Sequence, residues 1–107
     1  MKVLVVEPMK ECYTKEINGL EEMQALVGGY IQAIYPFPDK AAVVCNEEGK
    51  NLGLPFNRPL FDENDLPYDI ICGTFFVVGL GVEDFVSLTE EQIRQYKEHY
   101  DRVMGLT

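Results

Sequence analysis

The spacing of apolar residues in the first half of the chain predicts four strands and one helix. Lys2–Glu7 is a β-branched apolar run and Cys12–Ile17 alternates with a period of two, so these segments are expected to pair as a hairpin. Asn18 can cap the helix that follows, with Glu21 at the capping-box position, and the Gly28-Gly29 pair can end it. The next two apolar runs are also predicted strands: Tyr30–Tyr35 and Ala41–Cys45.

A tight turn and a long loop are predicted after these strands. Asn46–Lys50 fits a type I turn in which Asn46 bonds its own backbone and Gly49 adopts a positive φ. A short strand from Lys50 to Leu54 would complete that hairpin. Pro55–Pro67 has little periodicity and contains three prolines, so it is expected to be a loop.

The last third of the chain predicts apolar strand structure followed by an amphipathic helix. Tyr68–Val78 can form one long strand bent at Gly73, or two strands separated there. Thr89 and Gln92 have the spacing of a capping box, and Gly105 is expected to end the helix.

The predicted order is therefore ββαββ, a loop, one or two strands, and a helix. Hairpins dominate this order and few crossovers are needed, which favours an α+β fold. We expect a single small domain over residues 1–107, with a mostly antiparallel sheet of about five to six strands and two helices.

The net charge of −9 limits the kinds of molecule that the protein is expected to bind. Direct binding of nucleic acid or of an anionic membrane needs a basic surface, so neither is expected. The charge suits a basic protein partner. Between Arg58 and Arg94 the chain has no Lys or Arg but has eight acids, and the sequence leaves open whether they share one face: Asp62, Glu63, Asp65, Asp69, Glu83, Asp84, Glu90 and Glu91.

The three cysteines indicate a reducing compartment. Cys12, Cys45 and Cys72 lack the spacing of a metal or redox motif, and the last two lie in apolar runs typical of buried thiols. The apolar run at the N-terminus is too short for a signal peptide, and no segment approaches the roughly 20 apolar residues that span a membrane. A cytoplasmic protein without metal or cofactor is expected.

Catalytic and cofactor signatures are absent from the sequence. Gly79-Leu80-Gly81 lacks the third glycine of a dinucleotide loop and is followed by two acids. Asp62–Asp65 begins like a calcium loop but lacks the glycine and glutamate needed later in that motif. His99 has no serine or cysteine predicted beside it. We therefore expect a protein that is not an enzyme. An enzyme whose site is completed in an oligomer is the least favoured alternative.

The strongest candidate for a binding segment is Gly53–Leu60. Its two prolines restrict the residues before them to extended geometry, so the segment is expected to be stiff. Asn57 offers two donors and an acceptor, and Arg58 offers a planar fork suited to carboxylate or phosphate. Two interpretations remain open: Arg58 pairs with a nearby acid and pins the loop, or it contacts a ligand or partner. The candidate binding residues are Asn57, Arg58, Asn46 and Gly53.

Two functions follow as hypotheses. The first is a small acidic protein-binding module, with the acids after Arg58 attracting a basic partner. The alternative is a sensor or sponge for an anionic nucleotide or metabolite, held by Arg58 and glycine amides.

Three segments follow a recurrent order over nearly the whole chain. Val27–Ile31 is followed by Tyr35-Pro36, the turn Asn46–Gly49 precedes Gly53-Leu54-Pro55-Phe56-Asn57, and Ile71–Gly79 completes the pattern. In this order the chain resembles an uncharacterised bacterial and phage family, one of the domains of unknown function. The resemblance implies one domain and a setting in phages, mobile elements or their hosts. It implies no established activity, cofactor or partner.

Overall fold

Eight strands and two helices form the part of the chain that this computed structural model describes, residues 1–104. The prediction of an α+β fold is confirmed. In chain order the elements are β1 (Lys2–Val6), β2 (Tyr13–Glu16), α1 (Gly19–Val27), β3 (Ile31–Ile34), β4 (Ala41–Asn46), β5 (Phe56–Phe61), β6 (Pro67–Cys72), β7 (Phe75–Leu80), β8 (Phe85–Val86) and α2 (Glu90–Val103).

Six of the strands form one antiparallel sheet, as the sequence predicted. The order is β2-β1-β7-β4-β3, and the short β8 pairs with the end of β7. β5 and β6 form a separate antiparallel hairpin. β2 and β3 are therefore the edge strands of the main sheet.

Both faces of the main sheet are covered, which explains why its central strands are apolar throughout. Val3, Val5 and Val44 point to one face, where Met23 and Leu26 of α1 pack. Leu4, Val43 and Val77 belong to the other face, which is covered by α2 and the β5–β6 hairpin. The fold thus has three layers, with the sheet in the middle.

The helix boundaries follow the local capping signals. Gly28 adopts a left-handed conformation with φ 81° and ends α1, as predicted. Asn18 is its N-cap, but the predicted capping box is wrong: the Asn18 side chain makes no capping bond, and its backbone N–H donates to the Glu22 carboxylate rather than to Glu21. Thr89 and Gln92 form both bonds of the predicted capping box at the start of α2. Gly105, predicted to end this helix, lies outside the described residues.

The region from Lys50 to Pro67 differs from its prediction. Lys50–Leu54 is not a strand but a series of tight turns, in which the Leu52 N–H donates to the Glu48 carbonyl. β5 instead lies within the segment predicted as a loop. Its partner is β6, so Pro59 is tolerated on a two-stranded hairpin, where each strand is an edge.

Two glycines have other roles than the sequence suggested. Gly49 lacks the predicted positive φ, but a Cβ atom there would lie 2.6 Å from the Cys72 carbonyl oxygen, so the position requires glycine for space. Gly73 does not bend one strand. With φ 86° it turns the chain from β6 of the hairpin into β7 of the main sheet.

No helix within residues 1–104 is both long and apolar enough to cross a membrane.

Candidate functional site

A β-bulge at the start of β5 turns two consecutive polar residues into the protein. Phe56 pairs with Cys72 and Arg58 with Ile71, so Asn57 is an extra residue in the ladder. Side chains of a regular strand alternate between its faces, and a bulge breaks that alternation. Both Asn57 and Arg58 are consequently buried.

The guanidinium of Arg58 is fully enclosed, with 0% exposure, and it donates to backbone carbonyls. Nε bonds the Tyr100 carbonyl at 2.9 Å and Nη2 bonds the Lys10 carbonyl at 2.8 Å. Nη1 bonds the Glu7 carbonyl at 3.3 Å. Tyr100 lies in the last turn of α2, where carbonyls lack helical partners and a cation is favourable.

Asn57 extends this network to β1 and to the turn between β6 and β7. Its Nδ2 donates to the carbonyls of Val6 and Gly73, both at 2.8 Å, and its Oδ1 accepts from Arg58 at 2.8 Å. We call Asn57 and Arg58 the clamp. It joins β1, the segment after β1, α2 and the turn before β7.

The buried Asp101 supports the clamp from α2. Its Oδ1 accepts from the Cys12 N–H at 2.8 Å, and its Oδ2 pairs with Lys97 at 2.7 Å. Together, Arg58 and Asp101 hold both ends of the segment Lys10–Cys12 against the helix. Burial and the neighbouring Asp101 raise the pKa of the Cys12 thiol to about 12, so the thiol is protonated and unreactive at neutral pH.

The structure thus places three of the four candidate residues, Asn46, Asn57 and Arg58, inside the fold. Arg58 takes part in none of the ion pairs within residues 1–104. Its N–H groups donate to carbonyl oxygens and not to the nearby acid that the sequence suggested. Asn46 is also buried. Its Oδ1 accepts from the Glu48 N–H at 2.8 Å, as predicted, and its Nδ2 donates to the Val27 carbonyl at the end of α1. Of the four candidates, Gly53 alone is exposed.

Gly53 belongs to an exposed segment that the clamp and several backbone bonds hold in place. Leu52 and Phe56 are 61% and 73% exposed. Between them, the Leu54 N–H donates to the Gly49 carbonyl at 3.0 Å and the Pro55 carbonyl accepts from Gly73 at 2.7 Å. We call Leu52–Phe56 the loop surface. It presents apolar side chains on a backbone that is fixed at several points.

A cleft of about 370 Å³, which was not predicted from the sequence, adjoins the loop surface. It lies between β3 and β4 of the main sheet and the β5–β6 hairpin. Its floor is mainly apolar, with Ile34, Leu60 and Ile71, whereas Glu47 and Glu48 line it at the end of β4. Lys50 also lines it and is paired with Asp69. Lys50 and Cys72 border both the cleft and the loop surface, so the two form one region.

The eight acids between Arg58 and Arg94 do not form one face. Asp62 and Asp65 line a cavity together with His99, which lies in the second half of α2. Glu90, in contrast, lies in the first turn of α2 and pairs with Lys2. Glu90 and His99 are nine positions apart in α2, so they point to roughly opposite sides of the helix and lie roughly 13 Å apart along its axis.

The titratable groups that the sequence analysis considered for chemistry are His99 and the three cysteines. Burial and the charge of Arg102 lower the pKa of His99, whose ring packs edge-to-face against Phe61 and Tyr100. Cys12, Cys45 and Cys72 are buried and unpaired. Within residues 1–104, no three His, Cys, Asp or Glu side chains come together as metal ligands.

Comparison with known proteins places the chain in a family. Neither a curated protein nor a solved structure matches it. A sequence profile of a domain of unknown function does match, and it covers residues 1–101, almost the whole chain. The chain therefore belongs to the domain-of-unknown-function family DUF3846.

Proposed function

We propose that this chain is a non-enzymatic protein-binding module of a bacterial or phage cytoplasm, and that the loop surface is its contact site. The observation that carries the proposal is the exposure of Leu52 and Phe56 on a segment whose backbone is fixed. Large apolar side chains that stay exposed add little to the stability of the free protein, and adjacent ones on one surface are a common mark of an interaction site.

The rigidity of this segment supports the same proposal. A loop that must be ordered on binding loses conformational entropy, which weakens the complex. Here the Leu52 N–H and the Pro55 carbonyl already form hydrogen bonds within the fold. Asn57 and Arg58, which follow Phe56 directly, are fixed by the hydrogen bonds of the clamp. Asn57 and Arg58 thus serve binding indirectly, by holding Phe56 in position.

Charge favours a basic partner. The chain carries a net charge of −9, and Glu47 and Glu48 are exposed beside the loop surface. Such a surface accelerates encounter with a basic protein and repels acidic ones. Three unpaired cysteines support a reducing compartment, where thiols persist.

The alternative function, binding of an anionic nucleotide or metabolite, has weaker support. Arg58 is enclosed, and its donors already bond carbonyls. The cleft is lined by more acids than bases, and Lys50 is neutralised by Asp69. A thermal-shift screen against nucleotides and phosphorylated metabolites tests it, because a saturable rise in melting temperature would favour this function.

The test of the proposal compares two double variants. The tagged wild-type protein is used to capture partners from a lysate of the source organism, and the binding of each purified partner is then measured by calorimetry. Leu52→Ser/Phe56→Ser removes the two anchors. Leu20→Ser/Val82→Ser removes two exposed apolar residues elsewhere and serves as the control.

We expect the loop variant to weaken binding by at least about tenfold, because burying one Leu or Phe contributes about 1.5–3 kcal/mol. The control should bind like the wild type. Equal affinity of both variants for every captured protein would refute the proposal. Variants of Arg58 are unsuitable for this test because they perturb the fold as well.

A further inference from the structure

The edge strand β3 is as short as β2, but it carries none of the charges, prolines or bulges that protect many sheet edges. Its sequence, Ile-Gln-Ala-Ile, contains no charge, proline or bulge, and it is flanked by Tyr30 and Tyr35, which are 71% and 64% exposed. The opposite edge strand, β2, carries Lys15 and Glu16. Charged side chains on an edge discourage further pairing, so β2 is protected and β3 is not.

The backbone of β3 has free hydrogen-bonding groups on its outer side. The Glu47 N–H donates to the Tyr30 carbonyl, which identifies that pair as hydrogen-bonded in the β3–β4 ladder. In an antiparallel ladder such pairs alternate, so Gln32 and Ile34 also face β4. Ile31 and Ala33 consequently direct their N–H and carbonyl groups outward, where β3 has no neighbour within residues 1–104.

The cleft lies beside this free edge. Gln32 and Ile34 line it, and they share one face of β3. A strand added to the edge would lie about 4.8 Å away and would place alternate side chains on the same face. The apolar floor, with Leu60 and Ile71, is suited to receive an apolar side chain from that strand.

The charges around the cleft define the rest of the incoming segment. Glu47 and Glu48 follow β4 directly and are exposed, and Asp69 is already paired with Lys50. A basic residue near one end of an added strand would meet these two glutamates. A second copy of this chain would instead bring the same glutamates and a further charge of −9, which opposes pairing between copies.

We propose that β3 binds an extended, basic segment of a partner protein as an additional strand, with an apolar side chain of that segment in the cleft. This inference rests on the proposed function and defines its partner more closely. The backbone of β3 supplies hydrogen bonds that do not depend on sequence, and the cleft and the two glutamates supply the selectivity.

The test uses a library of random short peptides displayed on phage, selected on the wild-type protein, and measures the affinity of synthetic copies of the enriched peptides. Ala33→Pro removes one outward N–H of β3 without breaking the ladder to β4. Thr14→Pro is the matched control. Met1 and Ile17 form a bonded pair in the β1–β2 ladder, so the Thr14 N–H points outward at the protected edge.

A second pair of variants tests the charges and does not depend on proline being tolerated. Glu47→Lys/Glu48→Lys reverses the two glutamates beside the cleft. Glu83→Lys/Asp84→Lys makes the same change in net charge at the exposed turn between β7 and β8. Urea unfolding shows whether each proline variant is folded.

We expect the enriched peptides to alternate apolar residues and to contain Lys or Arg. Ala33→Pro and the Glu47/Glu48 variant should each weaken binding at least about tenfold, and both controls should bind within about twofold of the wild type. Peptides carrying N-methyl groups on alternate amides should lose binding, because their pairing edge is blocked.

Three results would overturn the inference. In the first, the selection enriches no peptides. In the second, Ala33→Pro and the Glu47/Glu48 variant bind the peptides as the wild type does. In the third, sedimentation shows that the wild type is a dimer and that Ala33→Pro is a monomer. The third would identify the occupant as a second copy. None of these results would contradict the proposed function. That function is tested separately, by whether capture of a protein partner depends on Leu52 and Phe56, and it does not require β3.

Discussion

Replacing Arg58 by alanine should destabilise the protein strongly. The substitution removes four hydrogen bonds and leaves the buried carbonyl of Tyr100 and the partly buried carbonyl of Lys10 without their donor. A bond from a charged donor contributes about 1.5–3 kcal/mol, but bonds that share one guanidinium do not add fully. We expect the free energy of unfolding to fall by about 4 kcal/mol, out of a total of about 5–15 kcal/mol for a domain of this kind. The melting temperature should fall by roughly 20 °C.

Urea unfolding followed by far-ultraviolet circular dichroism measures this loss, since the chain has no tryptophan to report by fluorescence. Arg58→Lys keeps the charge but loses the planar fork, so a loss of about 2 kcal/mol is expected. Arg94→Ala is the control. It is exposed and touches only Glu91 at 4.0 Å, so its effect should stay below about 0.5 kcal/mol. If the free energy of unfolding of Arg58→Ala lay within about 1 kcal/mol of that of the wild type, the conclusion that the clamp stabilises the fold would be refuted.

Three further predictions concern the surroundings of the clamp. Burial acts to raise the pKa of Asp101, but hydrogen bonds from Lys97 and Cys12 outweigh it and leave that pKa below its ordinary value. The carboxylate therefore contributes stability above about pH 4 that is lost as the pH falls through the lowered pKa, and Asp101→Asn should flatten the acid side of the stability–pH curve. Gly49→Ala would bring a Cβ within 2.6 Å of the Cys72 carbonyl oxygen and should cost about 2 kcal/mol in urea unfolding; a neutral substitution would show that this turn relaxes freely. The Cys12 thiol, with its pKa raised to about 12, should react with Ellman's reagent at pH 8 no faster than the protein opens, and rapid labelling of the native state would contradict its burial.

The parts of the fold that depend on neighbouring residues were predictable from the sequence. Thr89 and Gln92 form their capping box, and Gly28 ends α1, because each signal acts within one helical turn. The apolar runs of β1 and β4 also form strands as predicted. Such local preferences are sufficient to identify an α+β fold with a mostly antiparallel sheet.

Features that depend on distant contacts were not predictable. Local turn rules assign Gly49 a positive φ, yet its need for glycine comes from the Cys72 carbonyl, 23 residues further along the chain. Three of the four acceptors of Arg58 are backbone carbonyls, which every residue has, so no residue type in the sequence could reveal them. The exposed Leu52 and Phe56 likewise looked like ordinary members of a proline-rich loop.

The central position of β7 has a consequence for synthesis on the ribosome. β1 and β4 each pair with β7, which is made only after both of them are complete. Until residue 80 has emerged, two wholly apolar strands, Val-Leu-Val-Val and Ala-Ala-Val-Val-Cys, each keep an unpaired side. Nascent chains that stop before Phe75 are therefore the stage at which this protein is most exposed to aggregation. A split of the gene anywhere before that codon would yield an N-terminal fragment that cannot complete its sheet.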